Sequence, residues 1–429
     1  MQPSPGTLLR WAAFRTITMV AANGEKAPEP ELTPPVEQPA VWIFLSTIGE
    51  LHAIEPFLIE LAARTAGLKW VLLSDRNIYR EAYCKRFPEA DVIEIGEGLD
   101  EARRLARLRP PKLFVIAEIP LQPSDAPCRL AFAWLLEAAR RGASLVAVNG
   151  WLYGYPPSCR SDALERRLFG RAWLSLFDRI CVQNQDIADR LIASGAASER
   201  ITVTGNIKFD ALDRSQWQPE QSHSPRMLAD LVGANRPLVV AGCVTDADEQ
   251  ELILSAFAQL KAGGTAARLV IAPRHPENPE VMASLASACA KQKIHSRLRS
   301  ELADAALDPD VECLILDTMG DLRHFYGAAS IAHVGRNHNV LEPLAFSVPV
   351  TVCSPWETTY PSYPVYLGLK TAAALIESND SASLASAWRA GMGTWAERQA
   401  RGKRLTETLN RMAGASARTL AAIDTPAGI

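Results

Sequence analysis

At 429 residues the chain is long enough for two or three domains, each with its own core. With 48% apolar and 22% charged residues it is globular rather than disordered, and a net charge of −3 gives no footing for nucleic acid as the main partner. Its eight cysteines are scattered with no CxxC pair, which speaks against a structural zinc site and for reduced thiols in a cytoplasmic setting.

Residues 1–40 read as an amphipathic segment, TLLRWAAFRTITMVAANG, followed by a Pro/Glu-rich linker, EKAPEPELTPPVEQPA. The apolar part is interrupted by Arg10 and Arg15 and falls short of the roughly 20 residues that span a bilayer. It can lie on a membrane surface or pack locally as a helix. The folded part is expected to start near Val41.

From there VWIFL, WVLLS, LFVIA, SLVAVN, RICVQ and ITVTG read as buried strands, with helical patterns such as LHAIEPFLIELAARTAG and NQDIADRLIASGA between them. Strands alternating with helices mean βαβ units and a parallel sheet covered on both faces, here over 41–215. A polar, Pro-containing linker follows at 216–235. The pattern restarts over 236–380 with PLVVAG, a helix from about Glu249 to Lys261, RLVIAP, CLILD, SIAHVG and PVTVC. The stretch 381–429 is a mostly helical tail. Neither half contains GxGxxG, and ligands in such sheets sit beyond the carboxyl ends of the strands, so a cleft between the domains is expected.

Three strands of the second half end in polar clusters. RLVIAP runs into Arg274, His275 and Pro276, CLILD into Thr318, Met319, Gly320 and Asp321, and SIAHVG into Arg336, Asn337, His338 and Asn339, then Glu342. Each alone has a plain explanation as a surface ion pair or a helix-capping turn. Together they should open onto one sheet edge. His338 and Glu342 have i, i+4 spacing, but Pro343 fits best in a first helical turn, which puts His338 before the helix. A helix start preceded by Gly335 and flanked by Arg336 and amides suits an anionic phosphate better than a metal. Glu342 can accept hydrogen bonds from a sugar's paired hydroxyls.

In the first half, VWIFL runs into Ser46, Thr47, Ile48, Gly49 and Glu50. Glu50 is either a first-turn acid favouring the helix dipole or a carboxylate able to take a proton from a hydroxyl; His52 and Glu55 lie close enough to compete.

These motifs resemble, in order, those of the 3-deoxy-D-manno-oct-2-ulosonic acid (Kdo) transferases, over about Val41 to Ala374. WIFLSTIGE is similar to the family's WIHAVSVGE-type motif, LLEAARRGASLVAVNGWL to its segment ending in VNARLS, and VTGNIKFD to a nearly identical family form; PRHPE, DTMGDL and HNVLEP follow. The resemblance implies the α/β architecture called GT-B, two Rossmann-like parallel-sheet domains facing a central cleft, here with a helical C-terminal tail. It implies an inverting glycosyltransferase that moves Kdo from CMP-Kdo to a lipid A or related lipopolysaccharide precursor. The expected location is the cytoplasm, peripherally on the inner membrane face. Glu50 matches the family's general base and Arg274 the arginine at the cytidine nucleotide. Met319 and Gly320 lie in the loop lining that site, and Asn339 and Glu342 match the residues holding phosphate and ribose. Lys208 matches a lysine facing the cleft, where a cation offsets the charge of donor or leaving group. No cofactor and no metal are implied.

The departures fall around the donor sugar. AGCVTDADE stands where the family has AGSTHEGEE, and VGRNHN where it has a glycine-rich VGGSL…GGHN loop, so Arg336 is read as a substitute phosphate or carboxylate contact. AEIPLQP keeps Glu118 of the ETEIWP-type segment but has Pro120 for tryptophan, and WETTYPSYPVY replaces an HTFNF-type stretch. These changes leave open a CMP-dependent paralogue with a different acidic sugar or acceptor, and a non-catalytic family member that binds nucleotide or sugar. The aromatic stretch Trp356 to Tyr366 is either an acceptor or membrane contact or a packed loop.

Overall fold

The computed structural model describes residues 3–21, 32–33, 37–96, 99–119, 129–157, 159–212, 218–233, 236–302 and 307–424. Most of the Pro/Glu-rich stretch, and Pro120 with the residues after it in AEIPLQP, lie outside them. The chain divides into two compact units, Met1–Ala211 with Met412–Ile429, and Leu212–Arg411.

The first unit is built on seven parallel strands: β1 (Ala40–Phe44), β2 (Lys69–Ser74), β3 (Asp91–Glu94), β4 (Pro111–Ala117), β5 (Ser144–Gly150), β6 (Arg179–Val182) and β7 (Ile201–Val203), in the order β3-β2-β1-β4-β5-β6-β7. β1 is buried at all five positions, which is why its sequence, AVWIF, is continuously apolar rather than alternating. Its two faces feed two packing layers. Val41 and Ile43 pack with Leu51, Ile54, Leu58 and Leu61 of the helix Ile48–Arg64. On the other face the Trp42 ring meets Phe114 and Trp134 edge-on, at 5.6 and 5.9 Å between centroids. Burying the inner face of that helix, with seven residues inside, stabilises the unit by several kcal/mol at about 2 kcal/mol per large apolar side chain. Thr47 caps it by accepting the Glu50 N–H at 3.2 Å.

Folding does not wait for Val41. Residues Pro5–Ala21 form a helix whose Trp11 and Phe14 are buried, Trp11 lying edge-on at 5.2 Å to both Phe132 and Phe169. The N-terminal segment is thus packed locally along that face. Among the described residues, no helix is long and apolar enough to cross a membrane.

The second unit carries β8 (Leu238–Val244), β9 (Arg268–Pro273), β10 (Ser296–Leu298), β11 (Cys313–Ile315), β12 (Ile331–Val334), β13 (Val350–Val352) and β14 (Ile376–Glu377), all parallel, in the order β10-β11-β9-β8-β12-β13-β14. β9, β11 and β12 therefore end on the same sheet edge, as their polar termini require. The helix expected from about Glu249 to Lys261 spans Ala247–Ala262, capped by Asp246, and buries Ile253, Leu254, Phe257 and Leu260 against β8 and β9.

The residues from 381 onward are not one tail. Ser381–Gly391 packs into the second unit's core through Leu384, Ala385 and Trp388. Ala415–Asp424 belongs to the first unit, where Ala415, Leu420 and Ile423 join the cluster around Leu51 and Ile54. Helical periodicity reveals an apolar face but not which surface it will cover.

Candidate functional site

In both sheets the strand order reverses beside the first strand, between β1 and β4 in one unit and between β8 and β12 in the other. A crevice opens at such a point, beyond the carboxyl ends, because successive crossovers leave to opposite faces. The candidate residues collect there. So does local backbone strain. Glu118 and Asn149 (φ 58° and 55°) and Cys243 and Asn337 (φ 56° and 67°) all take the left-handed conformation that side chains disfavour.

In the first unit Glu50 is buried, whereas His52 is exposed and Glu55 is engaged with Arg86 on the surface. Glu50 Oε2 accepts the Ser46 N–H at 2.6 Å. Burial, then the nearby negative charge of Glu118, raises its pKa to about 8, against the lowering effect of the Ser46 hydrogen bond. The carboxyl is thus poised to exchange a proton near neutral pH.

Glu118 follows β4 and is the hub of this end. It accepts from Asn149 Nδ2 at 3.0 Å and from the Tyr153 hydroxyl at 2.6 Å, and pairs with Lys208 Nζ at 3.0 Å. Asn149 in turn accepts the Ile207 N–H at 2.9 Å, which fixes the turn bearing Lys208. Lys208 is therefore committed to a buried carboxylate, and what it offsets in this structure is Glu118. Asn149 and Tyr153 were not singled out as site residues by the sequence, although Asn149 lies inside the matched segment LLEAARRGASLVAVNGWL; Lys208 and Glu118 were visible as motif residues.

In the second unit the loops after β8 and β12 are stapled together. A Cβ on Gly335 would lie 2.0 Å from the Cys243 carbonyl oxygen, so this position needs glycine for close backbone approach. Glu249 accepts the Thr245 N–H at 3.3 Å and the Arg336 N–H at 3.2 Å. The Arg336 guanidinium meets Asp246 at 2.9 Å, and His338 Nε2 lies 3.1 Å from Thr245 Oγ1. The two segments that depart from the family pattern, AGCVTDADE and VGRNHN, thus bond to each other. Arg336 is tied down by an aspartate rather than standing free for a ligand.

His338 precedes the helix, which is only Leu341–Ala345; five residues give a weak dipole, so the phosphate argument from a helix start loses force. Asn339 reaches Glu342 at 3.4 Å and also accepts the Leu341 N–H at 3.1 Å. Burial raises the Glu342 pKa, opposed by Arg323 and by the Asn339 bond. The Cys243 thiol feels both the Glu342 carboxylate and the exposed Arg274 guanidinium, so these residues share one neighbourhood. Burial, then Arg274, holds His338 below the usual imidazole range.

Met319 is 74% exposed, and the neighbour that bounds Gly320 (φ +100°) is His223. Their loop is anchored by Asp321, which accepts from Ser222 Oγ and His223 N, both at 2.8 Å, and from Ser224 Oγ at 3.0 Å. In the aromatic stretch, Trp356 is buried, its indole N–H donating to Cys353 O at 2.8 Å, and its ring stacks at 4.5 Å on Tyr366 of the helix Tyr363–Thr371, so these two rings are packed inward.

A family model described as 3-Deoxy-D-manno-octulosonic-acid transferase (kdotransferase) matches residues 24–211. A 3-deoxy-D-manno-octulosonic acid transferase of Chlamydophila psittaci is 28% identical over 336 residues, covering 76% of this chain and 71% of that one. The enzyme so named in Bordetella pertussis is 27% identical over 366 residues, covering 80% and 76%. The chain is similar to Kdo transferases over most of its length. Its resemblance to these glycosyltransferases is a distant one, and two of its departures from their motifs, AGCVTDADE and VGRNHN, form the stapled loops described above. Among solved structures it is similar to a glycosyltransferase from Rickettsia africae, with TM-score 0.59 and 12% identity over 91% of this chain and 98% of that one. It is also similar to UDP-GlcNAc 2-epimerase from Neisseria meningitidis, with TM-score 0.59 and 14% identity over 90% and 99%. At those identities they share its fold, GT-B with a seven-stranded parallel sheet in each unit.

Proposed function

We propose that the chain moves an ulosonic acid, Kdo, from a CMP-activated donor to a hydroxyl of a lipid A or related lipopolysaccharide precursor, with inversion, on the cytoplasmic face of the inner membrane. The observation that carries the chemistry is Glu50, a buried carboxyl at the switch point of the first sheet with its pKa raised to about 8. As carboxylate it takes the acceptor's O–H proton while that oxygen forms the new bond to the anomeric carbon. The bond from that carbon to the CMP phosphate breaks on the opposite side, and its electron pair leaves with CMP. The step needs no metal or cofactor.

After burial, Glu118 is the next cause of the raised Glu50 pKa, and Lys208 holds Glu118 in place, so Lys208 acts as a positioning residue. In the second unit Arg274 supplies the cation for the nucleotide's phosphate, and Glu342 with Asn339 the hydrogen bonds to ribose. Met319 and Gly320 form the wall beside the base, and Gly335 and Arg336 shape the adjoining loop. Because Arg336 is held by Asp246, the pocket for the sugar carboxylate differs from the glycine-rich form, which favours a second reading: a CMP-dependent paralogue with another acidic sugar or acceptor.

Transfer from radiolabelled CMP-Kdo to a lipid A precursor tests the proposal. It expects product with wild type and a loss of at least about a hundredfold with Glu50→Gln. CMP binding without Kdo transfer selects the paralogue, and absence of CMP binding refutes both.

A further inference from the structure

His333, in β12, is fully buried, and its imidazole is fixed from one side. Thr351 of β13 gives its hydroxyl hydrogen to the Ala332 carbonyl at 3.0 Å, and its oxygen receives the Trp388 indole N–H at 3.1 Å. With that proton committed, the Thr351 oxygen can only accept from His333 Nδ1, 3.1 Å away. The neutral ring therefore carries its proton on Nδ1 and turns a lone pair at Nε2 into the interior, where no hydrogen-bond partner meets it. What it faces is the buried Glu249 carboxylate, with Oε1 3.7 Å from Nε2. The Cys353 sulfur completes the group, its ligand atom and those of His333 and Glu249 all lying within 4.8 Å of one another.

A lone pair and a carboxylate facing each other in the dry interior repel unless a positive charge, a second ring proton or a metal cation, lies between them, and the nearby sulfur favours the metal. We propose that Glu249, His333 and Cys353 bind a divalent cation of the zinc class. One nitrogen, one sulfur and one carboxylate oxygen are the donors such a borderline ion prefers. Bonds of about 2.0–2.3 Å place donor atoms about 3–4 Å apart, which the Nε2 to Oε1 separation of 3.7 Å already satisfies. The hydrogen bond from Nδ1 to Thr351 is the support that orients a metal-bound imidazole. Binding displaces the Cys353 thiol proton, now directed at the Ser378 carbonyl, and that proton leaves to solvent.

The role is structural. Glu249 is the residue that holds the backbone at Thr245 and Arg336, so a cation on its carboxylate braces both loops of the second unit from beneath. The ligands come from three elements far apart in sequence, hence the absence of any CxxC-like spacing. The site stands independently of the donor and acceptor chemistry above.

The test uses the full chain, desalted without chelator after zinc-supplemented expression. Elemental analysis is expected to find about one zinc per chain, and cobalt in its place to show a thiolate-to-cobalt charge-transfer band in the near ultraviolet. Cys353→Ser removes the band, and His333→Gln weakens cobalt binding at least about tenfold. Chelator lowers the melting temperature of wild type more than that of Cys353→Ser. Folded wild type that takes up neither metal, or a cobalt spectrum without the thiolate band, overturns the proposal. The wild-type titration decides the matter even where the variants fail to fold.

Discussion

Replacing Glu50 by glutamine removes a titration while keeping the side chain's size and a hydrogen-bond acceptor for Ser46. In the fold its carboxyl is raised from 4.5 to about 8. At about 1.4 kcal/mol per pH unit the protonated form is favoured by up to roughly 5 kcal/mol, a ceiling that water entry into the crevice reduces. The sign follows from the direction of the shift. The stabilising contribution of a raised acid is fully present below the unfolded value of 4.5 and is lost as pH climbs through about 8. Glu50→Gln escapes that loss, so its stability relative to wild type should grow by a few kcal/mol from acid to alkaline pH and then level off. Urea unfolding of both proteins across that range measures it. The same titration appears in catalysis: wild-type transfer under kcat/KM conditions should rise about tenfold per pH unit up to about 8 and then flatten. A stability gap that does not change with pH, together with a rate profile flat between about pH 6 and 9, refutes the reasoning.

Lys208→Met strips the cation from buried Glu118 and should destabilise the protein by about 3–5 kcal/mol in chemical unfolding. It should also move the rise in transfer to higher pH, while Lys208→Arg restores part of both. Gly335→Ala sets a Cβ against the Cys243 carbonyl, so CMP affinity by calorimetry should fall at least about tenfold as the two loops are forced apart. Arg274→Ala should weaken CMP binding by about 1.5–3 kcal/mol, the range for a hydrogen bond to a charged group; unchanged affinity removes Arg274 from the nucleotide site.

The central strands were legible because being buried on both faces leaves an uninterrupted apolar run, as in VWIFL and SLVAVN. Three of the four edge strands, β3, β10 and β14, have four, three and two residues, too few for any period to show, and β7 was read only within the longer run ITVTG. Glu50 and Glu342 were legible as acids at strand ends, though pattern alone could not separate Glu50 from His52 and Glu55. Burial separates them. Glu118 and Lys208 were legible one by one, but their convergence with Asn149 was not, since the three belong to the ends of different strands and two of them take left-handed backbone. Nor was the pairing of Arg336 with Asp246, 90 residues apart, although opposite charges appearing in two divergent loops were the available clue.

The helix Ala415–Asp424 completes a core that begins at β1. During synthesis the first unit therefore cannot close over Leu51 and Ile54 until the ribosome has passed Asp424. The second unit, contiguous from Leu212 to Arg411, has all its parts sooner. The half that starts first finishes last, and a chain stopped before Ala415 would present an open apolar face to chaperones and proteases.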